Sequence, residues 1–437
     1  MEPASRSPLA RVLSLVVEVR SHEVKALLLA FACNFVLLGV YYILRPLRDT
    51  MATVFGPDQL QNLFTGTFVI MLLSAPVFAW AASKLTLARF LPGVFWFLLA
   101  NLLVFYGLFR LVPESRWLAA AFFWWFSVVN LILVSVFWTL MADVFSAAQA
   151  TRLFAFVAAG GSLGAIAGPL VTKASAATVG VGGLLFIAAG GFVGVIAVVH
   201  LLMREKVRLR AAAEDQGEDA QATTLDHVLP GNPFRGFQLL ARSPYMMGQA
   251  AFILLMTWIA TVVYFLQTDL IANAYSEVAA RTVAFADVDL FVNSVAAFIL
   301  IFGLGRVLKR FGVTASLVLS PLIMIVACIG IVISPTLFMV QVARAAQRIS
   351  QYAIARPSRE VLFTVVDQQE KYKAKNVIDT VVYRFGDLTA AWMQAGLRAA
   401  GAGLIGAVAL GIGVSAAWAL VAVGLGRRYR TLVEARS

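Results

Sequence analysis

Charged residues are scarce in this 437-residue sequence. Only 13% of the residues are Asp, Glu, Lys or Arg, whereas 61% are hydrophobic and the mean hydropathy is +0.85. Soluble globular chains carry about 25% charged residues, because a water-exposed surface is built from them. The shortage excludes a cytosolic enzyme, a secreted module and a nucleic-acid-binding protein, and it predicts a protein whose exterior lies mostly in lipid.

Cysteine, histidine and phosphate-binding loops are also few or missing. The two cysteines, Cys33 and Cys328, lie inside apolar runs, which excludes a disulfide framework. No G-x-x-x-x-G-K-[ST] sequence occurs, so ATP hydrolysis is excluded as the energy source. The three histidines lie at or beyond predicted helix ends. We expect no catalytic residue, no cofactor and no metal, and hence a protein that is not an enzyme.

What the sequence has instead is long apolar runs. Runs of about 20 residues predict membrane-spanning α-helices, since the strands of a membrane barrel alternate with period two. The predicted fold class is therefore an all-α integral membrane protein with twelve transmembrane helices. The predicted spans are residues 24–46, 62–82, 91–111, 117–141, 153–173, 180–203, 245–267, 285–305, 313–333, 336–356, 375–398 and 403–425.

Basic residues are unevenly distributed between the two sides of these spans. With a cytoplasmic N-terminus, 25 of the 35 Lys and Arg residues fall on the cytoplasmic side, seven on the other side and three within the membrane. The positive-inside rule then places both termini in the cytoplasm. The same distribution accounts for the net charge of +12 without an anionic macromolecular partner.

The longest polar interval separates two sets of six spans. We predict an N-terminal six-helix bundle over residues 1–203, a cytoplasmic linker with a short interfacial helix over 204–244, and a C-terminal six-helix bundle over 245–437. Phe234 and Phe237 of that short helix are expected at the lipid interface.

Matching loops indicate that the two halves are repeats. The loops Ser83–Phe90 and Gly305–Gly312, after spans two and eight, are both short and basic. Ser146-x-x-Gln149 before span five and Asp367-x-x-Glu370 before span eleven both have the pattern of a capping box. Six plus six spans with a central loop resembles the layout of major-facilitator transporters, whose halves are parallel repeats. In that layout spans one, four, seven and ten line a central cavity.

Glycines in span five have a regular spacing. Gly160, Gly164 and Gly168 lie four residues apart and therefore share one helix face. Small residues at this spacing let two membrane helices approach closely. We interpret them as packing positions rather than ligand contacts.

Polar residues inside the predicted spans are the candidates for function, because charges are costly in hydrocarbon. Arg344 and Arg348 lie four apart in span ten, and spans one, four and seven carry polar stripes of their own. A guanidinium binds carboxylate or phosphate with two parallel hydrogen bonds, so these arginines predict an anionic substrate. The candidate substrate-binding residues are Arg45, Arg48, Asn130, Thr261, Tyr264, Arg344, Arg348 and Tyr352.

Other charged residues are candidates for gating or coupling, and some arginines have an alternative interpretation. Arg384 could pair with Asp387 three residues later, and Arg344 with an acid on a neighbouring helix. Cytoplasmic loop charges are expected to latch one closed state, and a proton path would need a carboxylate of span eleven. The gating or coupling candidates are Asp49, Lys84, Asp143, Arg306, Asp379, Arg384 and Asp387.

Three segments resemble the non-mitochondrial nucleotide transporters, the ATP/ADP exchangers of plastids and intracellular bacteria. Residues 42–49 (Y-I-L-R-P-L-R-D) are similar to their motif Y-T-I-L-R-D-T-K-D. Phe137-Trp138 with residues 149–152 (Q-A-T-R) is similar to F-W…E-A-K-R, and residues 356–386 are similar to D-P-x-K-E…L-D-x-E-x-K-x-K-G-K…D…R-x-G. The resemblance covers most of the chain and is strongest to the free-living bacterial branch. It implies a carrier in a bacterial inner membrane.

When the charged residues of the family are matched to positions of this sequence, one charge is kept and others are lost. The basic residue of the family's first helix falls on Arg48, whereas the glutamate of its fourth span falls on Phe126. The lysine after R-x-G falls on Asp387, a reversal of charge, and the seventh-span acid has no clear counterpart near Leu266.

The sequence and the resemblance together predict a monomeric secondary active transporter. It would move an anionic, phosphorylated, nucleotide-like metabolite by alternating access. Two alternatives stay open at this point: a carrier of another organic or amphipathic, lipid-like anion, and a non-transporting membrane receptor or scaffold.

Overall fold

All regular secondary structure is helical in the residues that the computed structural model describes, which are 17–84, 86–214, 235–366 and 373–435. The α-helices are α1 (Val24–Phe55), α2 (Leu60–Lys84), α3 (Leu87–Leu111), α4 (Arg116–Val144), α5 (Ala147–Glu214), α6 (Arg235–Arg242), α7 (Pro244–Ala274), α8 (Val278–Phe298), α9 (Leu304–Ile333), α10 (Leu337–Ser350), α11 (Arg356–Leu362), α12 (Lys375–Val377), α13 (Tyr383–Ala399) and α14 (Gly403–Glu434). Three π-helical segments adjoin them: Ile299–Gly303, Gln351–Ala355 and Ile378–Val382. Two 3₁₀ turns, Pro57–Gln59 and Phe363–Val365, complete the regular structure.

Nine helices in the described ranges are long and apolar enough to cross a membrane. One of them, Ala148–Leu209, is 62 residues long and contains predicted spans five and six. Gly180, where span six is predicted to begin, has a φ of 62° and interrupts the helix there. The segments of predicted spans ten and eleven are helical as well, although they are not among the nine. The prediction of an all-α, multi-span membrane protein is confirmed.

Side-chain caps fix where several helices begin. At the start of α5 the backbone N–H of Ser146 donates to Gln149 Oε1 at 2.9 Å, and the N–H of Gln149 donates to Ser146 Oγ at 3.4 Å. This reciprocal pair is the predicted capping box. The corresponding box at 367–370 lies outside the described residues. Hydroxyls that accept from the N–H three residues on also cap α4, α7 and α10; they belong to Ser115, Ser243 and Thr336.

The described residues divide into two compact units. The first contains the chain up to Arg48 and again from Ile70 to the end of α5, and the second contains Asp49–Val69 and everything from α6 onward. The core of the second unit lies between α7, α9 and α14, where the ring of Trp418 meets that of Phe252 at 5.3 Å.

A short helix, α6, lies in the predicted linker, and its position at the lipid interface stays a prediction. Phe237 on this helix is 43% exposed, as expected of a residue at a lipid surface, and Phe234 lies outside the described residues. A Cβ on Gly236 would lie 2.7 Å from the carbonyl oxygen of Lys373. The helix therefore packs closely against the chain just before α12.

The glycine stripe of α5 is a packing surface in the first unit. A Cβ on Gly160, Gly164 or Gly168 would lie 2.5, 2.1 or 2.5 Å from a backbone carbonyl oxygen of α1. These distances are too short for any real Cβ, so only glycine permits this approach of the two helices. The interpretation as packing positions is consistent with this geometry.

Replacing Gly164 by alanine should lower the thermal stability of the protein, because the new methyl group would overlap the backbone at Phe35. Overpacking of this kind costs about 1–3 kcal/mol. Gly190 on the same helix is the matched control, since a Cβ there would meet nothing within 4 Å. Alanine at position 190 should leave stability unchanged or raise it by about 0.5–1 kcal/mol, the helix-propensity gain over glycine. Equal melting temperatures for the two variants in detergent would contradict the packing role of the stripe.

Candidate functional site

Arg344 lies near the middle of α10 and is the best-supported candidate of the second unit. It is 9% exposed and donates to the carbonyl oxygen of Ala260 at 3.0 Å and to Gln347 Oε1 at 2.8 Å. Gln347 in turn donates to Gln351 Oε1 at 2.6 Å. A run of buried polar groups thus follows one face of this helix.

Tyr264 of α7 links Arg344 to the end of α1. The Arg344 guanidinium carbon lies 5.2 Å from the centre of the Tyr264 ring, and the Tyr264 hydroxyl donates to Asp49 Oδ1 at 3.2 Å. Tyr264 is 3% exposed and Asp49 5%. The predicted residues Arg344, Tyr264 and Asp49 are therefore brought together within the second unit, and Asp49 is in a position to orient the tyrosine.

Arg348 forms a buried ion pair with Asp289 of α8. The two side chains are 5% and 2% exposed, and Arg348 Nη1 donates to Asp289 Oδ1. The sequence leaves open an ion pair between Arg344 and an acid on a neighbouring helix. The structure shows a pair of this kind at Arg348. Asp289 was not among the sequence-based candidates, although Asp287 and Asp289, the two acids inside predicted span eight, were the available signal.

Thr261, Arg384 and Asp387 meet where α7 packs against α13. Arg384 Nη1 lies 3.1 Å from Asp387 Oδ2, which is the internal pair expected three residues apart. Thr261, 2% exposed, donates to Asp387 Oδ1 at 3.3 Å. The carboxylate at this position, where the resembling transporters have lysine, is thereby held by a cation of its own helix.

The candidates of the first unit are surrounded by aromatic rings. Arg45 is 8% exposed and lies 5.6 Å from the ring of Tyr42. Arg48 is half-buried and lies 4.7 Å from the ring of Phe123 and 5.9 Å from that of Phe126. Phe126 occupies the position of the family's glutamate, so an aromatic face now meets the cation there. Asn130 is half-buried one turn further along α4.

The predicted gating charges are placed as follows. Asp143 pairs with Lys206 of α5 at 2.5 Å, within the first unit, and Lys84 is exposed in the last turn of α2. Arg306 is exposed and donates to the carbonyl oxygen of Phe302. Asp379 forms an ion pair with Arg359 at 2.6 Å. The expected roles of these residues in gating remain predictions.

Sequence analysis also missed a buried cluster around Glu23, just before α1. Glu23 is 0% exposed and accepts from Arg152 at 2.9 Å, from Gln149 at 3.1 Å and from the backbone N–H of Arg20 at 2.9 Å. Burial raises the pKa of this carboxyl, but the hydrogen bonds from Arg152, Arg20 and Gln149 outweigh it and hold the pKa below the usual 4.5. The charged carboxylate is therefore the form that ties α1 to α5.

Glu23→Gln should destabilise the first unit at neutral pH and have little effect in acid. A carboxyl with a lowered pKa in the folded state stabilises above its unfolded pKa, and this contribution is lost as pH falls through the folded value. We expect a deficit of about 1–3 kcal/mol at pH 7, from the loss of charge-assisted hydrogen bonds. Melting temperatures of wild type and variant, measured from pH 7 to below pH 4.5, should converge as the pH falls. A gap that stays constant over this range would contradict the assignment.

The segment Asp49–Val69 is joined to the rest of the second unit by polar contacts as well. The contacts are Thr50 Oγ1 to Thr282 Oγ1 at 3.0 Å, Arg281 to Thr53 Oγ1 at 3.2 Å, Arg398 to Asp58 at 3.1 Å and Trp392 Nε1 to Thr65 Oγ1 at 3.0 Å. Arg398 also pairs with Asp269 at 3.5 Å. The end of α1 and the start of α2 are thus anchored to α7, α8 and α13.

Comparison with known sequences agrees with the resemblance noted in the motifs. The profile of the Major Facilitator Superfamily matches residues 27–343. ADP,ATP carrier protein 1 of Chlamydia muridarum (strain MoPn / Nigg) is 22% identical over 459 aligned positions, which cover 91% of this chain and 86% of the carrier. The predicted similarity to nucleotide transporters is confirmed.

Comparison with solved structures gives the fold. A point mutant of the nucleoside transporter NupG matches with a TM-score of 0.62 and 11% identity, covering 93% of this chain and 99% of NupG. A bacterial homologue of the human lysosomal transporter Spinster, in an inward-facing and unoccupied conformation, matches with a TM-score of 0.57 and 13% identity, covering 95% of this chain and 98% of the homologue. At these identities the likeness extends to the fold alone.

Proposed function

Because the chain belongs to the major facilitator superfamily, we propose that this multi-span membrane transporter carries a nucleotide-like, phosphorylated anion by alternating access. The observation that carries the proposal is Arg344, a buried guanidinium of predicted span ten that donates to Ala260 and Gln347 and lies beside the ring of Tyr264. A charge in this environment is costly and is by default functional.

The substrate class is supported by the chemistry of arginine and by the chlamydial relatives. A buried guanidinium recognises phosphate or carboxylate through charge-assisted, paired hydrogen bonds. Arg45 and Arg48 supply two further cations beside aromatic rings in the first unit. ADP,ATP carrier protein 1 of Chlamydia muridarum, by its name, carries ADP and ATP, and it aligns with 91% of this chain. Phe126 and Asp387 depart from the family pattern, so the nucleotide itself needs a direct test.

Twelve spans are consistent with the helices of the described ranges. The nine apolar helices become ten when α5 is divided at Gly180. The helical segments 337–362 and 375–399 add the two most polar spans, which contain the candidate residues. We propose on this basis two six-helix repeats, with bundles over 1–203 and 245–437 and a linker over 204–244.

The proposed topology rests on the distribution of charge. The excess of 25 basic residues over seven supports a topology with both termini in the cytoplasm of a bacterial cell and the carrier in the inner membrane. We propose a monomer that needs no cofactor, with a small anionic substrate and the bilayer as its partners.

Uptake of radiolabelled ATP into proteoliposomes tests the proposal. Vesicles loaded with ADP should accumulate label faster than empty vesicles and protein-free vesicles, and an imposed proton gradient across empty vesicles separates exchange from proton symport. Thermal-shift measurements against nucleotides, sugar phosphates, organic acids and lipid-like anions run in parallel. If another anion stabilises the protein and no nucleotide is taken up, that anion becomes the proposed substrate in place of the nucleotide. No stabilisation by any anion would favour a non-transporting receptor or scaffold.

A further inference from the structure

Five side chains of the second unit form an alternating series of guanidinium groups and aromatic rings, here called the arginine–tyrosine ladder. Its members in order are Arg348, Tyr352, Arg356, Tyr383 and Arg384. Successive distances from guanidinium carbon to ring centre are 5.7, 5.5, 5.5 and 5.4 Å. All lie within the reach of a cation–π interaction. The ladder joins the helical segment of α10 and α11 to α13.

A π-helical segment explains why the ladder continues the line of Arg344. Arg344 and Arg356 are twelve residues apart, which in a regular α-helix places them about 120° apart around the axis. The π segment Gln351–Ala355 lies between them, and a π turn contains one residue more than an α turn. With that residue discounted, the two arginines differ by only about 20° and share a face. Such π segments are frequent at functional sites.

Arg356 is not a member of the ion pairs that the described residues form around the ladder. The ion pairs of this region are Arg348–Asp289, Arg384–Asp387 at 3.1 Å, Arg359–Asp379 at 2.6 Å and Lys375–Glu360 at 2.5 Å. Each acid is thus matched by a different cation. In the described part of the chain no carboxylate lies within ion-pair distance of Arg356. Asp379 attracts Arg356 from beyond ion-pair distance, and the Tyr383 hydroxyl accepts a hydrogen bond from it. Arg356 is solvent-exposed, whereas Tyr352 and Tyr383 are half-buried.

We propose that Arg356, flanked by the rings of Tyr352 and Tyr383, is a second oxyanion-binding station of the carrier, for a phosphoryl group of the transported anion. Both ring centres lie 5.5 Å from the guanidinium carbon. A guanidinium has five N–H donors, so beside its hydrogen bond to Tyr383 it keeps donors for two oxygens of a phosphoryl group. Twelve residues of helix separate this station from Arg344 by about 18 Å, so the two are distinct. The inference rests on the proposed function in taking the anion to be a transported substrate.

Chemical modification of the wild-type protein tests the station without a mutation. Purified full-length protein in detergent is treated with 2,3-butanedione, which reacts with accessible arginines, in the presence and absence of inorganic phosphate. Peptide mass spectrometry then follows Arg356 and, as an internal control, the exposed Arg428 of α14. We expect phosphate to slow the modification of Arg356 on the order of tenfold and to leave Arg428 unaffected.

Substitution of Arg356 is the second test of this site. Arg356→Gln should weaken phosphate binding, read as the midpoint of phosphate-dependent thermal stabilisation, about ten- to hundredfold. Arg356→Lys keeps the charge but loses the paired hydrogen bonds, so we expect it to fall between wild type and Arg356→Gln. Arg428→Gln is the matched control and should titrate like wild type.

The outcomes separate this inference from the proposed function. Phosphate protection of Arg356 in a protein that takes up no nucleotide would support the station and reject the nucleotide. Nucleotide uptake with Arg356 modified at the same rate with and without saturating phosphate would overturn the station and leave the function standing. Wild-type phosphate binding by a folded Arg356→Gln variant would overturn it as well.

Discussion

Arg344→Gln should weaken binding of the transported anion by about a hundredfold or more and reduce uptake to the level of protein-free vesicles. The substitution removes the buried positive charge and the paired donors that a phosphate or carboxylate requires, and hydrogen bonds to charged groups contribute about 1.5–3 kcal/mol each. The measurements are radiolabelled ATP uptake and nucleotide-dependent thermal stabilisation of the purified variant.

Controls for this prediction separate binding from folding. Glutamine at position 344 is uncharged and leaves no buried charge unpaired, so the variant is expected to fold. Arg344→Lys keeps the charge without the planar fork and should recover only part of the affinity. Arg428→Gln on the exposed face of α14 should behave as wild type. Wild-type uptake by folded Arg344→Gln protein would remove the central support for the anion site.

Breaking the Arg348–Asp289 pair should have the largest effect on stability. Asp289→Leu leaves a guanidinium that is 5% exposed without its carboxylate, and Arg348→Met leaves the carboxylate without its cation. Loss of one partner of a buried ion pair costs about 3–5 kcal/mol. Thermal unfolding in detergent should show a large decrease in melting temperature for either variant.

The double variant Asp289→Leu/Arg348→Met distinguishes a role of the pair in substrate binding from a purely structural role. Replacing both charges by apolar side chains is often neutral or stabilising, so we expect most of the stability to return. A stable double variant that has lost uptake would assign Arg348 to substrate binding. Retained uptake would show instead that the pair only holds α8 against α10.

Hydropathy predicted the helices well because lipid selects for apolar runs, but it did not predict where they end. The apolar run 245–267 became α7, which extends to Ala274, and the run 403–425 became α14, which extends to Glu434. Helices continue beyond the hydrocarbon, and local signals such as the cap Ser243 before Pro244 set their limits. Gly180 was the one sequence feature that divided α5.

Periodicity predicted part of the candidate site and failed where the helix is not regular. The spacing of Arg344 and Arg348 correctly placed both on one buried helical face. Arg356 was not included, because α-helical periodicity alone turns it away from Arg344 and hydropathy does not encode a π segment. Asp289 was missed because Asp287 and Asp289, two residues apart, do not share a helical face and form no periodic pattern. The partner of Asp289 is evident only from the packing of α8 against α10.

The contacts of Asp49–Val69 with the second unit determine which fragments of the chain contain a complete compact unit. A cut between α5 and α6 would leave this segment on the N-terminal piece, yet Thr50, Thr53 and Thr65 bond to residues of the C-terminal piece. The N-terminal piece would hold the whole of its compact unit, whereas the C-terminal piece would lack part of its own. The C-terminal fragment expressed alone is therefore incomplete, and a co-expressed N-terminal fragment complements it by supplying residues 49–69.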